Sequence, residues 1–113
     1  MNIQIYGKSK CFDTKKAERY FKERKVRFQS IDLPRYGMSP GEFKNVARVV
    51  GGWEAMLDPD AKDDTAMRIR HLADRTAAEE KLLQNPQLLR TPVVRNGREA
   101  TVGFCPEVWK DWK

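Results

Sequence analysis

Hydrophobic and polar positions at the start of the chain change from a strand period to a helix period. Residues 2–6 alternate, with Ile3 and Ile5 on one face, and Gly7 ends the run, which predicts a short strand closing at a turn. Helical spacing among Lys and Glu residues then predicts an amphipathic helix of about three turns that begins at Asp13 or Thr14. The residues that mark its buried face are Ala17, Tyr20 and Phe21.

A second β-type run contains Val26, Phe28 and Ile31 and stops at Leu33-Pro34, because proline interrupts regular structure. The chain therefore begins β-α-β. A crossover of this length between neighbouring strands implies that the strands are parallel and that the connection is right-handed.

A helical insertion is predicted over approximately residues 39–89. Its first helix has a clear start, since Ser39 is a candidate N-cap, Pro40 suits the first helical position and Glu42 completes a capping box. Gly51-Gly52 is expected to end this helix.

The rest of the insertion is predicted to be helical in pieces. A turn is expected at 53–57 and a helical segment around 66–73. A further helix is expected after the candidate cap Thr76, because Glu79 follows three residues later. Asn85-Pro86 closes that helix.

The end of the chain combines a hairpin with a short helix. Residues 92–95 and 99–102 flank Asn96-Gly97, the strongest short-range pattern for a two-residue hairpin. Residues 106–112 predict a closing helix with three side chains facing the sheet: Val108, Trp109 and Trp112. The order β-α-β, helices, β-β, α predicts a single α/β domain over residues 1–113 with a four-stranded mixed sheet.

Composition is that of a folding chain in a reducing compartment. Hydrophobic residues make up 40% of the 113 positions, enough to bury one core. No apolar run approaches membrane-spanning length, and the N-terminus has no basic leader followed by an apolar stretch. Two cysteines are too few for a disulfide framework, so we expect a cytoplasmic protein with no membrane contact.

The net charge of +6 does not by itself indicate nucleic acid binding. The densest basic stretch, residues 15–27, is punctuated by Glu18 and Glu23. Interleaved charges of this kind favour a solvated helix face over a nucleic-acid surface. We therefore predict no direct nucleic acid partner.

Cys11 is the leading candidate for chemistry. It lies between the predicted first strand and first helix, where free N–H groups and the helix dipole favour an anion and lower the pKa of a thiol. Lys8 and Lys10 are expected to help stabilise the thiolate, and Thr14 to offer it a hydroxyl hydrogen bond. The alternative is an inert packing cysteine, but the polar surroundings favour a reactive one.

Other candidate groups carry less chemistry. His71 is the only histidine, so no metal cluster with Cys11 can be built from near neighbours, and no metal is predicted. An acidic stretch lacks the glycine and the terminal glutamate of a calcium loop and is interpreted as a solvated loop containing N-cap residues. Its members are Asp58, Asp60, Asp63 and Asp64.

Three segments together resemble the arsenate reductase (ArsC) and Spx family. These are residues 3–11, ending in Cys11, the run Arg90-Thr91-Pro92-Val93-Val94, and the ending Val102-Gly103-Phe104 with Glu107 and Trp109. The pairing of an N-terminal cysteine with a late Arg-x-Pro-x-[Val/Ile] element is the most specific part. The resemblance implies a thioredoxin-like fold, with Pro92 beside Cys11 and preceded by a cis peptide bond.

In family members that reduce arsenate, the cysteine attacks the oxyanion, three arginines stabilise it, and glutathione with glutaredoxin restores the thiol. Arg90 matches one of these arginines. The other two would fall near residues 56–58, where the chain has Asp58, and near 104–106, where it has no arginine. Three arginines elsewhere are candidates to substitute: Arg68, Arg70 and Arg98.

The resemblance therefore implies a thiol-dependent oxidoreductase of the arsenate reductase type. Cys11 would be the nucleophile, and the surrounding substrate or anion site would contain Lys8, Lys10, Thr14, Arg90 and Pro92. No cofactor would be bound. Glutathione would be the co-substrate, glutathione or glutaredoxin the partner, and a small oxyanion a further substrate class.

Two alternatives stay open. The first is a Spx-like regulatory protein that binds RNA polymerase without catalysis, through the surface around Gly51-Gly52, although positions 11–14 contain no Cys-x-x-Cys pair. The second concerns Cys105, which is either a distant resolving thiol or a packing cysteine at a helix start. Packing is the favoured interpretation of Cys105.

Overall fold

Four short strands form one mixed sheet in the computed structural model, which describes residues 1–113. The strands are β1 (Ile3–Gly7), β2 (Phe28–Asp32), β3 (Val93–Asn96) and β4 (Glu99–Val102). Their order in the sheet is β2-β1-β3-β4. β1 and β2 are parallel, whereas β3 is antiparallel to both β1 and β4. The predicted four-stranded mixed sheet is confirmed.

Six helices accompany the sheet, and four of them lie between β2 and β3. They are α1 (Phe12–Glu23), α2 (Leu33–Tyr36), α3 (Pro40–Val50), α4 (Asp64–Arg70), α5 (Arg75–Gln84) and α6 (Pro106–Trp109). Two 3₁₀ turns, Trp53–Met56 and Pro86–Leu88, complete the insertion. None of these helices has the length and apolar character needed to span a membrane.

The start and end of α3 follow the predicted pattern. The Glu42 backbone N–H donates to Ser39 Oγ at 3.1 Å, and the Glu42 carboxylate accepts from the Ser39 backbone N–H at 2.9 Å. This reciprocal capping satisfies two N–H groups that the first helical turn leaves free. At the other end, Gly51 adopts φ +96°, a left-handed conformation that glycine tolerates.

The predicted start of α5 was wrong. Asp74, and not Thr76, is its N-cap residue, and the Asp74 carboxylate accepts from the Thr76 backbone N–H at 3.0 Å. The segment predicted at 66–73 begins and ends earlier, as α4, because the Asp63 carboxylate caps it by accepting from the Ala66 N–H at 2.8 Å. In both cases an upstream aspartate starts the helix.

Pro34 does not end regular structure as predicted. It occupies the first turn of α2, where its missing N–H needs no helical partner, so the single turn Leu33–Tyr36 forms around it. Val108 is a second correction, since its side chain is 42% exposed instead of facing the sheet. Neighbouring Trp109 takes the buried position, and adjacent residues of a helix point in different directions.

The hairpin turn lies one residue further along than predicted. Asn96 still pairs with Glu99, so the two-residue loop is Gly97-Arg98, with Gly97 at φ +61°. The Asn96 side chain is used elsewhere, because its oxygen accepts from the Asn2 backbone N–H at 3.1 Å. The hairpin itself is confirmed.

Both faces of the sheet are covered, because alternate residues of its strands point to opposite sides. Ile3, Ile5 and Val94 pack with α1 and α6 on one side. Tyr6 and Val93 pack with the helical insertion on the other side. This packing fixes the end of β1, and with it the loop that leads into α1.

Candidate active site

Cys11 lies at the junction of β1 and α1. It is the N-cap residue of α1 and has extended backbone angles, φ −92° and ψ 118°. Ala17 and Phe21 bury the inner face of α1 against the sheet, which holds the start of the helix beside the end of β1. The sulfur is therefore presented, half-buried, at a fixed point on the edge of the core.

The segment before β3 supplies the second wall of the site. The Thr91–Pro92 peptide bond is cis, as the resemblance implied. The Cys11 thiol donates to the Thr91 carbonyl oxygen, with Sγ and O 3.6 Å apart. Because Tyr6 on β1 pairs with Val93 on β3, the two strands bring Cys11 and Pro92 to the same end of the sheet.

Thr14 connects the loop before Cys11 to the sulfur. Its hydroxyl oxygen accepts from the Lys8 backbone N–H at 3.4 Å, so its own hydrogen remains free to point toward Cys11. Thr14 is buried against Gly7, where a Cβ atom would lie within 2.8 Å of the Thr14 hydroxyl oxygen. Gly7 therefore leaves the space in which Thr14 sits.

The environment lowers the pKa of the Cys11 thiol below its ordinary value. Partial burial acts in the opposite direction, but the Thr14 and Thr91 side chains and the N–H groups of Thr14 and Asp13 stabilise the thiolate and outweigh it. No backbone N–H of the first turn of α1 donates a hydrogen bond to the Cys11 sulfur in the structure. The groups that lower the pKa therefore act on the charged thiolate, which is the form that a nucleophilic cysteine requires.

Neither predicted lysine bonds to the sulfur. The Lys8 ammonium donates instead to the Gln87 carbonyl oxygen at 2.8 Å, which ties the active-site loop to the 3₁₀ turn Pro86–Leu88. Lys10 is exposed. The groups that stabilise the thiolate are hydroxyl and backbone N–H groups, and neither ammonium is among them.

Cys11 and Arg90 line the same cavity, which has a volume of about 270 Å³. The other residues around it are Asp13, Asp58, Pro59, Asp60 and Thr91. The residues that line the cavity thus include three aspartates and one arginine. Excess negative charge in a cavity disfavours the approach of an oxyanion.

The other candidate arginines do not join Arg90. The Arg70 guanidinium donates to the carbonyl oxygens of Ala61 and Asp58, the latter at 3.1 Å, and so holds the loop that carries Asp58. Arg98 lies in the hairpin loop at the opposite end of β3 from Pro92. Arg68 is exposed on α4 and does not line the cavity.

Cys105 has the environment of a packing residue. It is the N-cap residue of α6, packs against the core beneath α1, and donates from Sγ to the Val102 carbonyl oxygen at 3.4 Å. Burial, followed by the negative charge of Glu107, raises the pKa of the Cys105 thiol. The two cysteines are therefore shifted in opposite directions.

Several residues of the site were missed by the sequence analysis. Thr91 was part of the late motif but was given no role. Its position directly before Pro92 was the signal that could have identified it. Asp60 carried no signal for the cavity, because its approach to Cys11 depends on tertiary packing, whereas the closeness of Asp13 was readable from its position two residues after Cys11. His71 is exposed at the end of α4, and no three His, Cys, Asp or Glu side chains are grouped to hold a metal ion.

Known proteins are similar to this chain over nearly its whole length. An uncharacterised protein of Haemophilus influenzae is 25% identical over 107 residues, which covers 90% of each chain. A structure from Bacteroides fragilis described as related to the ArsC family matches with TM-score 0.86 and 18% identity, covering 100% of this chain and 98% of that one. An arsenate reductase from Vibrio cholerae matches with TM-score 0.83 and 20% identity, covering 96% and 94%.

A looser match identifies the wider fold. The glutaredoxin-like NrdH-redoxin of Escherichia coli aligns with TM-score 0.51 and 18% identity, covering 100% of this chain and 96% of that one. The β-α-β and β-β-α halves thus form a thioredoxin-like fold with a helical insertion. The sequence profile of the ArsC family matches residues 6–112. With the cysteine at the start of α1 and the late Arg-x-Pro segment on one cavity, the chain belongs to the ArsC family.

Proposed function

We propose that this protein is a thiol-dependent oxidoreductase that uses Cys11 in exchange with glutathione disulfides. The observation that carries the proposal is the position of Cys11 as the N-cap residue of α1, in contact with Thr91 before the cis Pro92, and the lowered pKa of its thiol agrees with it. A cytoplasmic location fits this chemistry, because a reducing compartment keeps both cysteines as free thiols. No bound cofactor is required.

The proposed reaction has two balanced steps. The Cys11 thiolate attacks the glutathione sulfur of a mixed disulfide, forming a Cys11–glutathione disulfide while the substrate sulfur leaves with the electron pair and takes up a proton. A second glutathione thiolate then attacks the glutathione sulfur bound to Cys11, releasing glutathione disulfide and the Cys11 thiolate. The substrate disulfide is reduced, glutathione is oxidised, and Cys11 is restored. A glutaredoxin thiol in the second step would give the same balance.

Each group near the thiol has a role in these steps. Thr14 and the first turn of α1 hold the negative charge on Cys11 between cycles. The backbone before Pro92 orients the incoming sulfur, and Arg90 offers the cavity's one guanidinium to an anionic group of the substrate. Arsenate is the less favoured substrate, because the three aspartates oppose it.

Turnover of a mixed disulfide between glutathione and 2-mercaptoethanol, coupled to glutathione reductase, tests this function. We expect Cys11→Ser to lose the activity and Cys105→Ser to retain it, because only Cys11 carries a stabilised thiolate. Arsenate offered with glutathione and glutaredoxin should react more slowly than the mixed disulfide. Equal disulfide turnover by wild type and Cys11→Ser would refute the proposal.

A second candidate function is the Spx-like binding of RNA polymerase. The observation that favours it is a cleft of about 550 Å³ beside Gly51-Gly52, with three basic side chains, Lys44, Arg48 and Arg75. Basic clefts attract acidic protein surfaces. Recovery of polymerase subunits by Cys11→Ser, together with their loss from Lys44→Glu/Arg48→Glu, would favour this function over catalysis.

A further inference from the structure

The charges around Cys11 are opposite in sign but do not neutralise one another. The ion pairs of the structure are Lys16–Asp13 and Arg95–Glu42. Within the cavity, the Arg90 guanidinium and the carboxylates of Asp58 and Asp60 therefore have no ionic partner. This cavity of about 270 Å³ therefore offers unpaired positive and negative side chains to a ligand that carries both a negative and a positive group.

The backbone holds these charges apart. Leu57 and Leu89 form an antiparallel bridge, flanked by a hydrogen bond from the Asp58 N–H to the Leu88 carbonyl at 2.8 Å. On the other flank, the Arg90 N–H donates to the Met56 carbonyl at 2.7 Å. Asp58 and Arg90 thus stand at opposite ends of a short fixed ladder, as preorganised recognition requires.

Neighbouring groups hold the Asp58 carboxylate and leave room for Arg90, and none of them forms an ion pair with either side chain. Arg70 donates to main-chain carbonyls of the loop and not to its carboxylates. The Asp60 N–H donates to Asp58 Oδ1 at 2.9 Å. Gly103, at φ +89°, leaves room for Arg90, because a Cβ there would lie 3.0 Å from Arg90 Nη2. Asp58 is therefore held within its loop, and Asp60 and Arg90 are exposed residues of the same cavity that a ligand can reach.

A carboxylate bound at Arg90 and an ammonium bound at Asp58 and Asp60 together describe an α-amino acid zwitterion. We propose that the Cys11 cavity selects low-mass disulfides bearing this group, and that Asp58 and Asp60 are its specificity-determining residues. Both glutathione disulfide, through its γ-glutamyl end, and cystine carry the zwitterion. The proposal rests on the thiol–disulfide exchange at Cys11 proposed above.

Four small symmetric disulfides, each offered to the Cys105→Ser protein, distinguish the contribution of a ligand ammonium group from that of a ligand carboxylate group. Cystine carries both groups, cystamine only the ammonium, dithiodipropionate only the carboxylate, and bis(2-hydroxyethyl) disulfide neither. The measurement is the rate of mixed-disulfide formation at Cys11 by mass spectrometry. Each rate is divided by that of the neutral disulfide, which removes any change in the pKa of Cys11. Glutathione disulfide is added to compare the two sources of the zwitterion.

We expect Asp58→Asn/Asp60→Asn to lower the relative rates of cystine, glutathione disulfide and cystamine by up to about fivefold, the range for a lost exposed ion pair. The relative rate of dithiodipropionate should not fall. Arg90→Gln should lower the relative rates of cystine, glutathione disulfide and dithiodipropionate and spare cystamine. In the double variant, the amide oxygen of the new side chain at position 58 can still accept the hydrogen bond from the backbone N–H at position 60. Asp64→Asn, outside the cavity, is the matched control.

Unchanged relative rates of cystine and glutathione disulfide in the double variant would overturn this inference. If the neutral disulfide still reacts in that case, thiol–disulfide exchange at Cys11 is supported although the selectivity for the zwitterion is not. If no disulfide reacts with wild-type Cys11, the proposed function fails as well. A faster reaction of glutathione disulfide than of cystine would assign the site to the γ-glutamyl group, and the reverse order to a free amino acid.

Discussion

Thr14 is the residue whose chemistry most directly supports the Cys11 thiolate. Thr14→Val keeps the shape of the side chain but removes the hydroxyl, so the pKa of Cys11 should rise. Alkylation of Cys11 by iodoacetamide at pH 7 should slow by about three- to tenfold, since a hydrogen bond to a charged group is lost and the greater nucleophilicity of the more basic thiolate offsets about half of that loss. Thr14→Ser keeps the hydroxyl and should behave like wild type. An equal rate in Thr14→Val would assign thiolate stabilisation to the helix N-terminus alone.

At the scale of single residues, the position of Cys11 at the start of α1 was predictable, but not all of the groups around it were. The proximity of Cys11 and Thr14 depends on the start of α1, which is a local feature. The position of the Lys8 ammonium could not be predicted, because it contacts Gln87, far away in the chain. Asp58 was predicted near the position of a family arginine, and the structure places it on the cavity of Cys11 without an ionic partner, which no sequence pattern indicated.

A polar cluster on the sheet anchors α3. The Tyr6 hydroxyl donates to the Glu42 carboxylate, and Arg95 Nη1 lies 3.5 Å from the same carboxylate. Burial and the bond to Glu42 raise the pKa of Tyr6 to about 12. Partial burial opposes ionisation of Glu42, but the bonds from Tyr6 and Ser39 and the charge of Arg95 lower its pKa. The cluster therefore joins the capped start of α3 to β1 and β3.

Glu42 should make the folding free energy depend on pH in acid. Because its pKa is lower in the folded state, its charge stabilises the protein above the unfolded value of about 4.3, and that contribution is lost as pH falls through the folded pKa. Glu42→Gln keeps the capping geometry but not the charge. At pH 7 we expect it to lower the free energy of unfolding by about 1 kcal/mol or less.

Urea denaturation at a series of pH values checks this prediction. The difference in free energy of unfolding between wild type and Glu42→Gln should shrink as the pH falls below about 4.3. Glu80→Gln, an exposed acid on α5, is the control and should show no such convergence. A difference that stays constant from pH 7 to pH 3 would mean that the charge of Glu42 does not stabilise α3.

At the scale of elements, local chemistry decided what could be predicted. The capping box of α3 and the hairpin between β3 and β4 depend on residues close together in sequence, so their existence was predictable. Two competing local features misplaced α4 and α5, because Asp63 and Asp74 cap more strongly than the positions chosen. The turn α2 was missed, because proline was interpreted as an end and not as a first-turn residue.

At the scale of the whole molecule, the topology creates the site. β1 and β3 are neighbours in the sheet although the helical insertion separates them in the chain, so Cys11 after β1 meets Thr91 before β3. Element order allowed the four-stranded mixed sheet to be predicted, and the family resemblance added its thioredoxin-like topology. The bridge between Leu57 and Leu89 could not be predicted, because no local pattern specifies that pairing.

The overall charge also differs from the local charge. The chain carries a net charge of +6, yet the cavity around Cys11 holds three carboxylates and one guanidinium. Net charge governs solubility and encounter, whereas the groups within a few ångströms of the thiol govern which electrophile approaches it. For this reason neither the net charge nor family membership alone assigns the substrate.

The rate of Cys11 alkylation as a function of pH, measured in Cys105→Ser, tests the central claim that Cys11 is an activated thiolate. Cys105, followed in Cys11→Ser, provides the internal comparison. We expect an apparent pKa for Cys11 below the free-thiol value of about 8.5, and one for Cys105 above it. A Cys11 pKa at or above about 8.5 would contradict the claim, and with it the assignment of this site to thiol chemistry.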